Sequence, residues 1–158
     1  MNIYFLSATK NGKDLIELLK NKIKIKGIIT ISPKTAKKTV DRFSLKNYCI
    51  ENKFDYLVSK DYSNLKDIKQ KILKKKIDYL FCISWQRIIP DWLIEHAKVM
   101  CIGAHGSHDG INKGRGRSPL NWALLLGKKK YKISIFKKNK HIVDSGEILG
   151  TKKFDITD

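Results

Sequence analysis

Residues 77–104 read IDYLFCISWQRIIPDWLIEHAKVMCIGA. Ile77 to Ser84 is a short, almost wholly apolar run, the pattern of a strand buried on both faces. Ser84 to Pro90 is irregular, Pro90 to His96 has the length of a turn-helix, and Val99 to Ala104 is again a buried strand. Strand, short helix and strand in this order is the repeating unit of an open parallel α/β sheet. Upstream the same alternation holds. Asn2 to Ser7 reads as a buried strand, Asp14 to Leu19 as a helix, Lys22 to Ser32 as an Ile-rich strand, Leu45 to Asn52 as a helix and Asp55 to Ser59 as a brief strand. Ser63 stands where a cap belongs, and Leu65, Ile68, Ile72 and Leu73 share one helical face after it. Downstream, a glycine-rich loop from His105 to Arg117 precedes a helix opened by Ser118-Pro119 and ended by Gly127. Tyr131 to Lys137 and Glu147 to Phe154 are the last strands. The expectation is one continuous α/β domain with its site at the carboxyl ends of the strands.

The chain has 158 residues, 42% hydrophobic and 30% charged, which suits one globular domain with a full core. Its net charge is +18, and 29 of the 33 cations are lysine. Dispersed lysines of this kind follow from an AT-rich coding genome and read first as a solvated surface, as do the runs Lys74 to Lys76 and Lys128 to Lys130. Three of the four arginines, Arg87, Arg115 and Arg117, fall between positions 87 and 117. Three cysteines without C-x-x-C spacing argue against disulfides or a zinc site, and Cys82 and Cys101 read as inert core residues. No metal is expected. No apolar run approaches the ~18 residues of a membrane span, and the N-terminus lacks the layout of a signal peptide. The reading is a soluble, cytoplasmic protein without a membrane partner. The loop after the first strand, Ala8 to Lys13, carries neither G-x-G-x-x-G nor a P-loop, which argues against dinucleotide and nucleoside-triphosphate binding.

Chemistry-bearing residues gather at the ends of the later strands. Ser84-Trp85-Gln86-Arg87-Ile88-Ile89-Pro90 leaves one, Gly103-Ala104-His105-Gly106-Ser107 leaves the next, and Val143-Asp144-Ser145-Gly146-Glu147 forms a turn. A His at one strand end and an Asp at a turn beyond another can meet across the top of a sheet. Such a pair holds one imidazole tautomer and suits acid-base work.

These segments resemble the folate-dependent formyltransferases, whose catalytic-domain signature is Asn-x-His-x-Ser, then Arg-Gly-x-x-Pro-x-x-Trp, then Asp-x-Gly. Here the matching residues are Gly103 to Ser107, Arg115 to Trp122 and Asp144 to Gly146. The resemblance implies a single Rossmann-like open, mostly parallel twisted sheet flanked by helices over residues 1–158. It implies a formyl transfer from N10-formyltetrahydrofolate to an amine, with His105 as acid-base group and Asp144 as its partner. Trp85, Gln86, Arg87, Ile88, Ile89 and Pro90, with His141, Ile142 and Val143, would frame the donor. Ser107, Arg115, Arg117 and Asn121 would face a small anionic acceptor. An amino sugar on a nucleotide carrier is favoured among acceptors. Methionyl-tRNA and glycinamide ribonucleotide are the alternatives, and a nucleic-acid acceptor is not favoured. The chain ends at Asp158, sooner than such a catalytic domain usually does, and a homodimer would cover the exposed sheet edge.

One departure stands out. The family's catalytic Asn is Gly103 here, and glycine donates no side-chain hydrogen bond; losing one such donor typically costs about 10²–10³ in rate. Ser107, Asn121, His108 or a water would have to replace it, or turnover falls and a folate- or nucleotide-binding protein remains. The remaining readings are plainer. Trp85 lines the donor pocket or covers the strand end. Trp122, at helical spacing with Leu120 and Leu125, reads as core. His96 and His141 read as surface residues. A basic nucleic-acid module is favoured by charge alone, since base-stacking patterns are absent.

Overall fold

Tyr4 and Leu6 pack to one side of the first strand and Ile3 and Phe5 to the other, and that two-residue alternation organises the N-terminal sheet. The computed structural model describes residues 1–157. Compactness divides the chain into two units, Met1–Cys101 and Ile102–Asp158.

The first unit holds β1 (Ile3–Leu6), α1 (Lys10–Leu19), β2 (Ile25–Ile31), α2 (Pro33–Lys37), α3 (Lys46–Glu51), β3 (Asp55–Ser59), α4 (Lys69–Leu73), β4 (Tyr79–Cys82) and α5 (Asp91–His96). Its strands lie in the order β3-β2-β1-β4, and every pairing is parallel. One face carries Tyr4, Leu6, Ile29, Ile31 and Leu80, covered by Leu65, Ile68, Ile72 and Leu93. The other carries Ile3, Phe5, Ile25 and Ile28, covered by Ile16 and by Tyr48 and Cys49 of α3. Phe5 is fully buried and stacks on Phe81 with ring centroids 5.1 Å apart. Phe5→Ala is expected to cost about 3–5 kcal/mol of unfolding free energy through lost transfer energy and the cavity left behind, measured by urea denaturation. Burial pushes the Cys49 thiol up to about 12. All three cysteines are buried outside any disulfide, Cys82 and Cys101 as the core residues expected, and the sulfurs of these two lie 3.4 Å apart.

The second unit contains most of β5 (Met100–Ser107), then α6 (Pro119–Leu125), β6 (Lys130–Lys137) and β7 (Ile148–Asp155). Here both pairings, β5 with β6 and β6 with β7, are antiparallel. The seven strands with their flanking helices make the open Rossmann-like α/β sheet that the resemblance implies.

Three local features differ from the sequence reading. Thr9 accepts from the Gly12 amide at 3.1 Å and starts α1 at Lys10, so most of the supposed 8–13 loop is helix. Ser63 does not cap: the Asp61 carboxylate takes the amides of Ser63, Asn64 and Lys66, and a 3₁₀ turn (Lys66–Ile68) precedes α4. Leu73, expected on the buried face, is exposed. On α6 only Ala123 is buried. Trp122 is 58% exposed and Leu120 and Leu125 are exposed with it, so the reading of Trp122 as core is overturned.

Candidate active site

β5 continues through His105 to Ser107 because its backbone pairs with β6, His105 opposite Ser134 and Ser107 opposite Lys132. His105 therefore belongs to the strand rather than to the start of a loop. Its ring is held on two sides: Nε2 lies 2.9 Å from the Gly114 carbonyl oxygen, and Nδ1 lies 3.5 Å from Oδ2 of Asp144. The His105 and Asp144 side chains are 10% and 19% exposed, sheltered but open to a ligand. Asp144 Oδ2 also accepts from the Gly116 amide at 3.2 Å, which fixes the carboxylate. Both ring nitrogens thus face oxygen acceptors, the Gly114 carbonyl and the Asp144 carboxylate. The structure brings His105 and Asp144, paired in the sequence reading, within 3.5 Å of each other. The Gly114 carbonyl and the Gly116 amide, which hold them, carry no side chain and left no signal to read.

The turn that presents Asp144 is backbone-strained. His141 (φ 64) and Asp144 (φ 47) both lie in the left-handed region, at a cost of about 1–3 kcal/mol each. Asn139 donates its amide to the Ser145 carbonyl and Lys137 donates to Glu147, which clamps the turn. Gly146, at φ 147, closes it where a Cβ would fall 1.6 Å from the Lys137 carbonyl oxygen. Gly146→Ala is therefore expected to lose about 3 kcal/mol of stability and to displace Asp144. Denaturation read together with turnover checks both. His141, Ile142 and Val143 are exposed along this turn.

A cavity of about 300 Å³ opens beside the histidine strand, lined among others by Ser107, His108, Arg115, Arg117, Trp122 and Leu126. Of the predicted acceptor residues it gathers Ser107 and both arginines. Asn121 is exposed on α6 and does not line it. Trp122, expected in the core, instead lines this cavity and is exposed.

In the first unit, segment 85–90 follows Ser84, which is itself left-handed at φ 55. Trp85 is buried against the edge of Tyr62 at 4.7 Å, and its indole Nε1 has no hydrogen-bond partner. Gln86, Arg87 and Ile88 are exposed, while Ile89 is buried and Pro90 begins α5. Two residues that sequence reasoning missed shape this segment. Tyr62 Oη accepts from the Gln86 amide at 3.1 Å, and Arg42 donates to the Gln86 side-chain oxygen. Arg42 and Arg87 sit 5.3 Å and 5.0 Å from the same Tyr62 ring, and Nε of Arg42 is buried without a partner. Arg42 was the one arginine outside the 87–117 cluster; only folding reveals its approach to Gln86. Arg42 Nε and Trp85 Nε1 are therefore two buried donors without a protein partner beside this strand end. A larger cavity, about 380 Å³, lies where the parallel strands begin, among Tyr4, Lys26, Asp55 and Lys74 to Lys76. Its one carboxylate, Asp55, is already bonded to Lys75 at 2.6 Å and Tyr4 at 2.9 Å.

The family model described as formyl transferase matches residues 1–158. The chain belongs to that family. Methionyl-tRNA formyltransferase from Clostridium novyi (strain NT) is 25% identical over 160 residues, covering 100% of this chain and 51% of that protein. The chain thus spans about half the length of that relative. Phosphoribosylglycinamide formyltransferase from Bacillus halodurans has a similar fold, with a TM-score of 0.77 at 13% identity over 100% of this chain and 81% of the other. So has an N-formyltransferase from Helicobacter canadensis, solved with folinic acid and dTDP-3-aminofucose, with a TM-score of 0.67 at 17% identity over 99% and 53%. Among the described residues of this formyl transferase family member, no helix is long and apolar enough to cross a membrane.

Proposed function

We propose that the chain transfers a formyl group from N10-formyltetrahydrofolate to an amine, with His105 and Asp144 as its catalytic pair. The observation that carries the reading is the imidazole fixed between Asp144 Oδ2 and the Gly114 carbonyl, 10% exposed, in a member of this family. The bound donor supplies a formyl carbon attached to nitrogen. His105 gives a proton to the departing nitrogen as the acceptor amine takes its place, and Asp144 keeps the imidazolium oriented. Residues 85–90 and 141–143 are the proposed donor contacts, with Arg87 as a cation for the anionic tail.

For the acceptor we favour an amino sugar on a nucleotide carrier. Arg115 and Arg117 line one cavity with the exposed ring of Trp122. Paired guanidinium groups suit a diphosphate and an aromatic face suits a base. Methionyl-tRNA is the second reading, favoured by the match of this whole chain to about half of a methionyl-tRNA formyltransferase and by the +18 charge.

The test is donor turnover with dTDP-3-aminofucose, glycinamide ribonucleotide or methionyl-tRNA, each followed by mass spectrometry. Formylation of the nucleotide-linked sugar is the expected result. Formylation of methionyl-tRNA alone would move the acceptor to the second reading, and no transfer to any of the three would overturn the function.

A further inference from the structure

Gly103 and His105 stand two residues apart on β5 and so share one face of the sheet. Gly103 is paired with Phe136 and His105 with Ser134, and directly paired residues point to the same side. On that face the place of a side chain at 103 is already occupied. A Cβ built on Gly103 would lie 2.9 Å from Cζ of Phe136, and 3.1 Å and 3.3 Å from Cγ and Cδ of Lys138. The stem of Lys138 therefore lies across the glycine, half-buried, with its ammonium 5.1 Å from the centre of the Phe136 ring. The aromatic face steadies a cation that no carboxylate holds among the described residues.

The nearby alternatives are engaged or turned elsewhere. Ser107 is only 1% exposed, and the hydrogen bond it accepts from the Asp109 amide at 3.2 Å fixes its hydroxyl within the loop. Ser134, opposite His105, bonds Thr151 through its hydroxyl at 3.0 Å. His108 Nε2 lies 3.3 Å from Asp109 Oδ2. Asn121 is exposed on α6. Formyl transfer builds negative charge on the formyl oxygen, and a donor aimed at that charge is among the largest contributions to such catalysis.

We propose that Lys138 is the oxyanion donor, its ammonium reaching the site across Gly103 in place of the side-chain amide that the resemblance puts at that position. The proposal rests on the formyl-transfer reading. The acceptor nitrogen's lone pair forms a bond to the formyl carbon, and the C=O π pair moves onto oxygen. An N–H of Lys138 donates to that oxygen while the charge persists. The pair then returns, the bond from carbon to the folate nitrogen breaks with its electrons on nitrogen, and His105 protonates that nitrogen. The proton lost by the acceptor amine restores His105, and Lys138 ends the cycle unchanged. A charge-assisted donor of this kind is stronger than a neutral amide, which is why a glycine can stand where an asparagine would otherwise be needed.

Lys138→Met keeps the stem over Gly103 and removes the donor. Its kcat, with N10-formyltetrahydrofolate and the accepted amine of the three named above, is expected to fall about 10²–10³-fold. Donor Kd is expected to stay within about threefold, because the contact forms as charge develops and not in the ground state. Lys138→Arg retains an N–H donor and is expected to keep kcat within about tenfold of the parent. Gly103→Asn combined with Lys138→Ala should recover at least about tenfold over Lys138→Ala alone. A Lys138→Met kcat within about threefold of the parent would overturn the proposal. So would a folded double variant no faster than Lys138→Ala. Should Phe136 prevent the double variant from folding, the Met and Arg variants decide between them. A parent chain that transfers no formyl group would overturn the underlying reading first, and that control separates the two failures.

Discussion

His105→Ala is expected to lower formyl transfer by at least about 10⁴-fold, because acid-base catalysis by a positioned group contributes up to that factor and the ring adds charge stabilisation beside the reacting carbon. Folding should survive the change. The ring is held by polar partners, the Gly114 carbonyl and Asp144, and is absent from the apolar clusters of the first unit. Donor affinity should change little, since the residues proposed to frame the donor lie at 85–90 and 141–143. The variant is thus expected to show an intact thermal transition, near-parental donor binding and a collapsed kcat. A His105→Ala chain that turns over at the parental rate would remove this ring from the mechanism.

Asp144→Asn is expected to follow at about 10³–10⁴-fold in kcat; the equivalent loss of a carboxylate behind a catalytic histidine costs about 10⁴ in serine proteases. Asparagine keeps the size of the side chain and offers Oδ1 to the Gly116 amide, so the turn should hold. What is lost is the charge that orients the Nδ1 proton and balances the imidazolium across 3.5 Å. The expected signature is a large fall in kcat with thermal stability within about 1 kcal/mol of the parent. A comparable loss of stability and of rate would instead make Asp144 a structural turn residue.

The parallel half of the fold was legible because its strands are apolar and bounded by polar breaks. Asp55 to Ser59 was read to the residue, and β1, β2 and β4 lie inside the expected segments. The end of β5 was not, since His105, Gly106 and Ser107 have no apolar periodicity and become strand only through pairing with β6. The capping role of Asp61 was hidden because Ser63 is the more familiar cap residue, and only the geometry shows three amides converging on one carboxylate. Trp122 failed for the opposite reason: its helical spacing with Leu120 and Leu125 predicts a buried stripe, and α6 buries only Ala123. At the site, the ordered motifs suggested that His105 and Asp144 meet, and the two side chains lie 3.5 Å apart. Arg42 lies 44 residues from Gln86, and the approach of Lys138 to Gly103 depends on the register of β5 against β6. Neither is encoded in local spacing.

The central claim is that this chain holds a formyl-folate for His105 to act on. Calorimetric titration of the parent and of His105→Ala with a non-hydrolysable N10-formyl-folate analogue tests it most directly. Saturable binding with Kd below about 1 mM, alike in both proteins, is the predicted result. No binding by the parent at millimolar analogue would contradict it.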